Sequence, residues 1–285
     1  MTHRFSICNR RPRAFTYVEA LVVIGLIMIA LAFLIPTLHD TRRGQTSSRV
    51  KCASNLRMIG QAMLLYANDN KGAYPYTTYA TGATVIPTWG TGAASSDPWA
   101  TSGPQPNDVT AALFLLLRTQ ELTPEEFTCP SSDAEKWDFG GGSNTALNWS
   151  NWVEIKKHLS YSMQNPYAND AAVKSGFVWN TQMNANFAVA ADMNPGTTGG
   201  ANNVTTVTTT SSASNMKAGN SRNHEGDGQN VLYGDGHVSF EQNPFVGVQR
   251  DNIYTTKLNA SAVSGGPIVA SPFDATDSIL LPTAD

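Results

Sequence analysis

The stretch Phe15-Thr-Tyr-Val-Glu19-Ala-Leu-Val-Val-Ile-Gly25-Leu-Ile-Met-Ile-Ala30-Leu-Ala-Phe-Leu-Ile-Pro36 decides how the rest of the chain is read. From Ala20 to Ile35 every residue is apolar or glycine, and Glu19 is the single charge. A helix needs about 20 largely apolar residues to cross a hydrocarbon core of roughly 30 Å. Residues 15–38 supply that length, and no comparable run follows. The reading is a single membrane-spanning helix. Its flank Arg10-Arg-Pro-Arg13 places the N-terminus in the cytoplasm and the body outside.

Working outward, the composition describes what this helix would carry. Charged residues make up only 14% of the 285, which suits a loop-rich extracytoplasmic domain better than a cytosolic enzyme. The net charge of −3 hides an asymmetry. Setting aside Arg4, Arg10, Arg11 and Arg13 leaves 15 basic residues against 22 acidic ones, a net of −7. Nucleic-acid binding, which needs a basic patch, is excluded as an expectation. The apolar run is too long for an ordinary secretory signal, and no small-x-small cleavage site follows it. An acid inside a greasy helix marks function by default.

These residues carry a resemblance. Arg11-Pro-Arg-Ala14 followed by Phe15-Thr-Tyr-Val-Glu19 resembles the leader and mature start of type IV pilins and type II secretion pseudopilins. Counted from Phe15, Glu19 is fifth and Pro36 twenty-second, as that family has them; Ala14 stands where the family usually has glycine. The likeness implies cleavage between Ala14 and Phe15 by a prepilin peptidase, and methylation of the new N-terminus. It also implies that Glu19 pairs with a neighbouring subunit's terminal ammonium during assembly, and that Pro36 bends the helix. Two further pieces, Cys52-x-x-Asn-Leu-x-x-Ile-Gly60 and Tyr66-x-x-Asp-x-x-Gly-x-x-Pro75, resemble a subgroup with a C-terminal His-x9-Asp-Gly element. Here ten residues separate His224 from Asp235-Gly236.

The expected architecture is α+β and pilin-like. Residues 1–14 form a cytoplasmic leader and 15–38 the membrane half of one long N-terminal helix. Residues 39–285 form an extracytoplasmic head: a helix over 49–68, then long irregular loops and a small antiparallel sheet. Apolar residues recur at helical spacing from Val50 to Ala67. A short helix follows Asn107 or Asp108 as its cap, and short strands are expected at 159–163, 177–180 and 187–191. The hairpin 230–240 is expected to turn on Asp235-Gly236 and to pair Tyr233 with Val238 and Val231 with Phe240, with His237 on the opposite face.

The function expected is a structural subunit of a type II secretion or type IV pilus-like filament in the bacterial inner membrane. Its partners would be prepilin peptidase, copies of itself or other pseudopilins, and the lipid bilayer, with no nucleic acid. The alternative is a membrane-anchored surface module that binds glycans or cell surfaces through Trp89, Trp99, Trp149 and Trp152. No Gly-x-Ser-x-Gly elbow or His-Glu-x-x-His motif argues for an enzyme. Cys52 and Cys129 either pair as a disulfide or stay as buried thiols. Glu225, Asp227 and Asp235 are candidate Ca²⁺ ligands, and a zinc site through His224, His237 and an acid is the lesser metal alternative. Against that, His224 simply pins the loop, Asp235-Gly236 is the turn, and Asp192 is a turn residue.

Overall fold

The computed structural model describes residues 16–197 and 203–284, with side chains left undescribed at 32–45, 203 and 205. The leader and the processing pair Ala14 and Phe15 lie outside the described residues. The chain divides into two units, Met1–Thr46 and Ser47–Asp285.

Helix α1 runs Tyr17–Asp69 and contains Glu19 and Pro36. Thr16 and Glu19 start it with a reciprocal capping box. The Thr16 amide and hydroxyl donate to Glu19 Oε2 at 2.8 and 2.9 Å, and the Glu19 amide donates back to Thr16 Oγ1. In the first unit the side chains from Tyr17 to Leu31 are largely exposed. The expected membrane-crossing half is corrected here. Among the described residues no helix is long and apolar enough to cross a membrane. Past Pro36 the helix takes up Thr37, His39, Asp40, Arg42 and Arg43. The pilin-like fold with a membrane half and the single-pass inner-membrane location are therefore not supported.

In the second unit, the last part of α1 lays Cys52, Leu56, Ile59, Met63 and Ala67 into the main core. Gly60 allows close approach to the sheet: a Cβ there would stand 2.9 Å from Leu232 Cδ1. Helix α2, Val109–Thr119, is buried from Val109 to Leu117. Its cap is Asp108, whose carboxylate accepts from the Ala111 amide at 2.8 Å and the Thr110 hydroxyl at 2.9 Å. The same carboxylate holds the preceding loop by accepting from the Thr91 amide and hydroxyl at 2.9 and 2.6 Å. The irregular stretch after α2 is anchored by aromatics: Trp152 packs edge-on against Phe114 and also contacts Phe127 and Trp137.

The described sheet has five antiparallel strands: β1 Tyr161–Gln164, β2 Ala188–Asp192, β3 Gln229–Tyr233, β4 Val238–Glu241 and β5 Leu280–Leu281. They lie in the order β4-β3-β2-β1-β5. β1, β2, β3 and β5 are buried throughout. One face meets the helical core; the other meets Ile253, Tyr254 and Ile268 of the C-terminal segment, which also supplies β5. The residues 177–180 are not a strand; a short helix, Asp170–Lys174, precedes them and Asn180 makes only an isolated bridge with Ala73.

The hairpin register differs by one from the expectation: Leu232 faces Val238, and Asn230 faces Phe240. The Gly236 amide donates to Tyr233 O and the Tyr233 amide to His237 O, which makes Gly234-Asp235-Gly236 a three-residue loop. Gly236 sits at φ +88°, the left-handed position such a loop reserves for glycine. Tyr233 and His237 therefore stand opposite each other, their rings stacked 4.4 Å apart.

Candidate functional site

The densest buried chemistry lies where α1, the loop before β1, the end of β2 and the loop into β3 converge. Cys52 comes from α1 and Cys129 from the Phe127-Thr-Cys-Pro turn. They are joined by a disulfide with Cα atoms 5.3 Å apart, 77 residues apart in sequence. Asn55, one helical turn after Cys52, fixes that turn by donating to Thr128 O at 2.9 Å and to the Tyr161 hydroxyl at 3.2 Å. Burial pushes the Tyr161 hydroxyl well above its ordinary pKa, with the negative charge of Asp192 adding to the effect.

Asp192 ends the apolar run Phe187-Ala-Val-Ala-Ala and is fully buried. It is a strand residue and not the turn residue expected from sequence. Its Oδ2 accepts from the Asn230 amide at 2.6 Å and from Asn230 Nδ2 at 3.1 Å. Its Oδ1 accepts from Asn223 Nδ2 at 3.2 Å. His224 Nε2 lies 3.2 Å from Asp192 Oδ2 and 3.9 Å from Cys129 Sγ. A buried carboxylate needs this density of donors to offset lost hydration.

His224 is aimed inward by a 3₁₀ turn, Arg222–His224, capped by Ser221. The chain then bends back through left-handed Glu225 and Gly226 and through Gly228. A Cβ on Gly228 would stand 2.2 Å from Glu241 O, so only glycine passes there. The His224 ring meets Phe240 edge-on. Sequence reasoning placed Asn55 only inside a motif, Asn230 only at the start of the hairpin and Asp192 only at a turn, and did not single out Asn223. The signal available was an acid closing an apolar strand, opposite an asparagine opening the next.

The ligand atoms of Cys52, Cys129, Asp192 and His224 lie within 4.8 Å of one another. With the disulfide closed, both sulfurs are bonded to each other, and the site is a polar knot that fixes four segments. The expected Ca²⁺ ligands do not meet: Glu225, Asp227 and Asp235 belong to no such group among the described residues. Asp227 is taken by cations, with Lys217 Nζ at 2.7 Å and an Arg49 guanidinium nitrogen at 2.9 Å. The Lys217 hydrogen bond holds its carboxyl below the usual range, with Arg49 assisting. Asp235 binds the His237 amide and ring within the hairpin loop, and those bonds lower its pKa.

The four tryptophans proposed as a stacking surface are also dispersed. Trp152 is fully buried, Trp99 is exposed, and Trp89 and Trp149 pack against the core. An aromatic cleft forms elsewhere, from Tyr76, Tyr79, Tyr167, Phe177 and Trp179.

A second buried polar group lies under the C-terminal segment. Asp277 accepts from the Lys257 amide at 3.1 Å and the Phe273 amide at 2.5 Å, and Asp251 accepts from the Ser278 amide at 2.7 Å. Burial raises both carboxyls, Asp277 to about 7. No family model, curated protein or solved structure matches this chain.

Proposed function

We propose that the chain is a pseudopilin-like structural subunit of a type II secretion or type IV pilus-like filament, released by a prepilin peptidase and assembled with copies of itself or related subunits. One observation carries this reading: from Ala20 to Leu31 α1 is apolar around its whole circumference and, among the described residues of its own unit, nothing covers it. Tyr17, Val18, Leu21, Val22, Val23, Ile24, Leu26, Ile27, Met28, Ile29 and Leu31 are each at least 45% exposed. At about 100° per residue these positions leave no polar face. A single docking partner covers one stripe of a helix; covering all sides calls for a bundle of neighbours. Copies of the same helix provide that, and Glu19 is the one charged group on this segment able to set their register.

The test separates charge from capping. Glu19→Gln keeps the capping box, because Gln also serves at that position, but removes the charge. Mass spectrometry of the mature wild-type protein should find a methylated Phe15 N-terminus. Electron microscopy of cells expressing Glu19→Gln should find cleaved subunits and no filaments. An unprocessed N-terminus, or normal filaments from that variant, would sink the proposal.

A further inference from the structure

We propose that, when their thiols are reduced, Cys52 and Cys129 join Asp192 and His224 in binding one divalent cation of the zinc class, so that this site is closed either by a disulfide or by a metal. The geometry is nearly in place. Tetrahedral zinc takes thiolate sulfur at about 2.3 Å and histidine nitrogen or carboxylate oxygen at about 2.0–2.2 Å. The edges of such a tetrahedron are therefore about 3.3 Å between nitrogen and oxygen and about 3.6 Å between nitrogen and sulfur. His224 Nε2 already lies 3.2 Å from Asp192 Oδ2 and 3.9 Å from Cys129 Sγ. The changes needed are that the two sulfurs part to about 3.8 Å, the sulfur–sulfur edge of the same tetrahedron, that the ligand atoms, now within 4.8 Å of one another, close around the cation, and that His224 Nε2 gives up its 3.1 Å contact with Asn230 Nδ2.

The surroundings suit a ligand set. All four side chains are buried. Asp192 Oδ2 is turned toward His224 by the Asn230 amide, while Asn223 holds Oδ1. This is the outer support that orients metal-binding carboxylates. The electrostatics also balance. A disulfide is neutral, and a divalent cation with two thiolates is neutral in sum. The buried pocket therefore holds the same net charge in either state, and exchange adds no uncompensated charge. Two sulfurs, a nitrogen and one oxygen favour zinc, cobalt or cadmium over calcium or magnesium, which take oxygen ligands.

The chemistry proceeds in two steps. A dithiol gives two electrons and its own two thiol protons and becomes a disulfide, or a phosphine gives two electrons and takes oxygen from a water molecule, whose two protons go to the sulfurs, and becomes a phosphine oxide; either way the Cys52–Cys129 bond opens to two thiols. The cation then replaces the two thiol protons, which leave to solvent. Because the sulfurs are buried, loading belongs to a chain that folds, or refolds from denaturant, under reducing conditions.

The experiment refolds the full chain with a phosphine reductant, with and without Co²⁺ or Zn²⁺, beside an oxidised control. The expected result is one Co²⁺ per chain with thiolate-to-cobalt charge-transfer absorption, and at least tenfold slower thiol modification with Zn²⁺ present. Oxidised protein should show neither effect. Asp192→Asn and His224→Gln should each weaken binding at least tenfold, and Glu225→Gln should leave it unchanged. Absence of the charge-transfer band, or thiols that react equally fast with and without zinc, would overturn the proposal. If the reduced chain folds only when zinc is present, that supports it. A reduced chain that stays unfolded with zinc added refutes it.

Discussion

At the scale of single residues, burial decides the chemistry. Asp277 carries a carboxyl raised from 3.8 to about 7, chiefly because it is removed from water and, less, because Asp274 is near. A carboxyl raised in the folded state stabilises the fold fully at pH below its unfolded value. That contribution is lost as pH rises through the folded value. The melting temperature should therefore fall by several degrees between about pH 4 and pH 7, and Asp277→Asn should flatten that slope in calorimetry. A slope unchanged in the variant would place the dependence elsewhere. None of this is legible in the sequence, where Asp277 sits in an unremarkable Asp-Ala-Thr-Asp-Ser run. Asp192 is similar: nothing beside it in sequence announces that Asn223, His224 and Asn230 will close over it. The cysteines were legible as a pair of possible partners, but which alternative they take depends on Cα positions that only the fold provides.

At the scale of elements, local chemistry carried further. Asp108 before an apolar run announces α2, and the structure shows why that cap matters twice. Its carboxylate holds both the helix start and the Thr91 segment. Asp108→Ala should lower stability by about 1–2 kcal/mol from the lost cap alone, and by more because the Thr91 donors are also left without their acceptor. Asp108→Asn should lose less. Urea unfolding at unchanged slope measures both, and equal losses would show that charge, not cap geometry, dominates. The hairpin shows the limit of such reading. The glycine-flanked Asp235 marked the place of the turn. Its length followed from backbone bonds between Tyr233 and His237, and one residue of difference exchanged which side chains face each other. The start of α1 is apolar as read, yet among the described residues no helix is long and apolar enough to cross a membrane. A helical run of that character does not by itself say what covers it.

At the scale of the whole molecule, the second unit is built around contacts far apart in sequence. β5 at Leu280–Leu281 pairs with β1 at Met163 and Gln164, and the disulfide spans 77 residues. Closing so long a loop in the unfolded chain removes considerable entropy. Replacing both cysteines with alanine should therefore cost about 2–5 kcal/mol of stability. Guanidinium unfolding of the oxidised protein and the double variant checks this; equal midpoints would mean that the polar knot around Asp192 holds the segments unaided. Sequence patterns marked helices and one hairpin, but the strand order β4-β3-β2-β1-β5 arises from packing that no local pattern encodes.

That same bridge has a mechanical side. Tension applied along the last turns of α1 reaches Cys52 before most of the chain that follows. There the covalent link hands the load directly to Cys129. Everything strung between them, including the last turns of α1, the Thr91 loop and α2, lies off the line of force. Roughly 260 Å of potential extension is thereby locked away. The chain can transmit a pull without being drawn out by it, whereas one lacking the bridge would have to resist with packing alone.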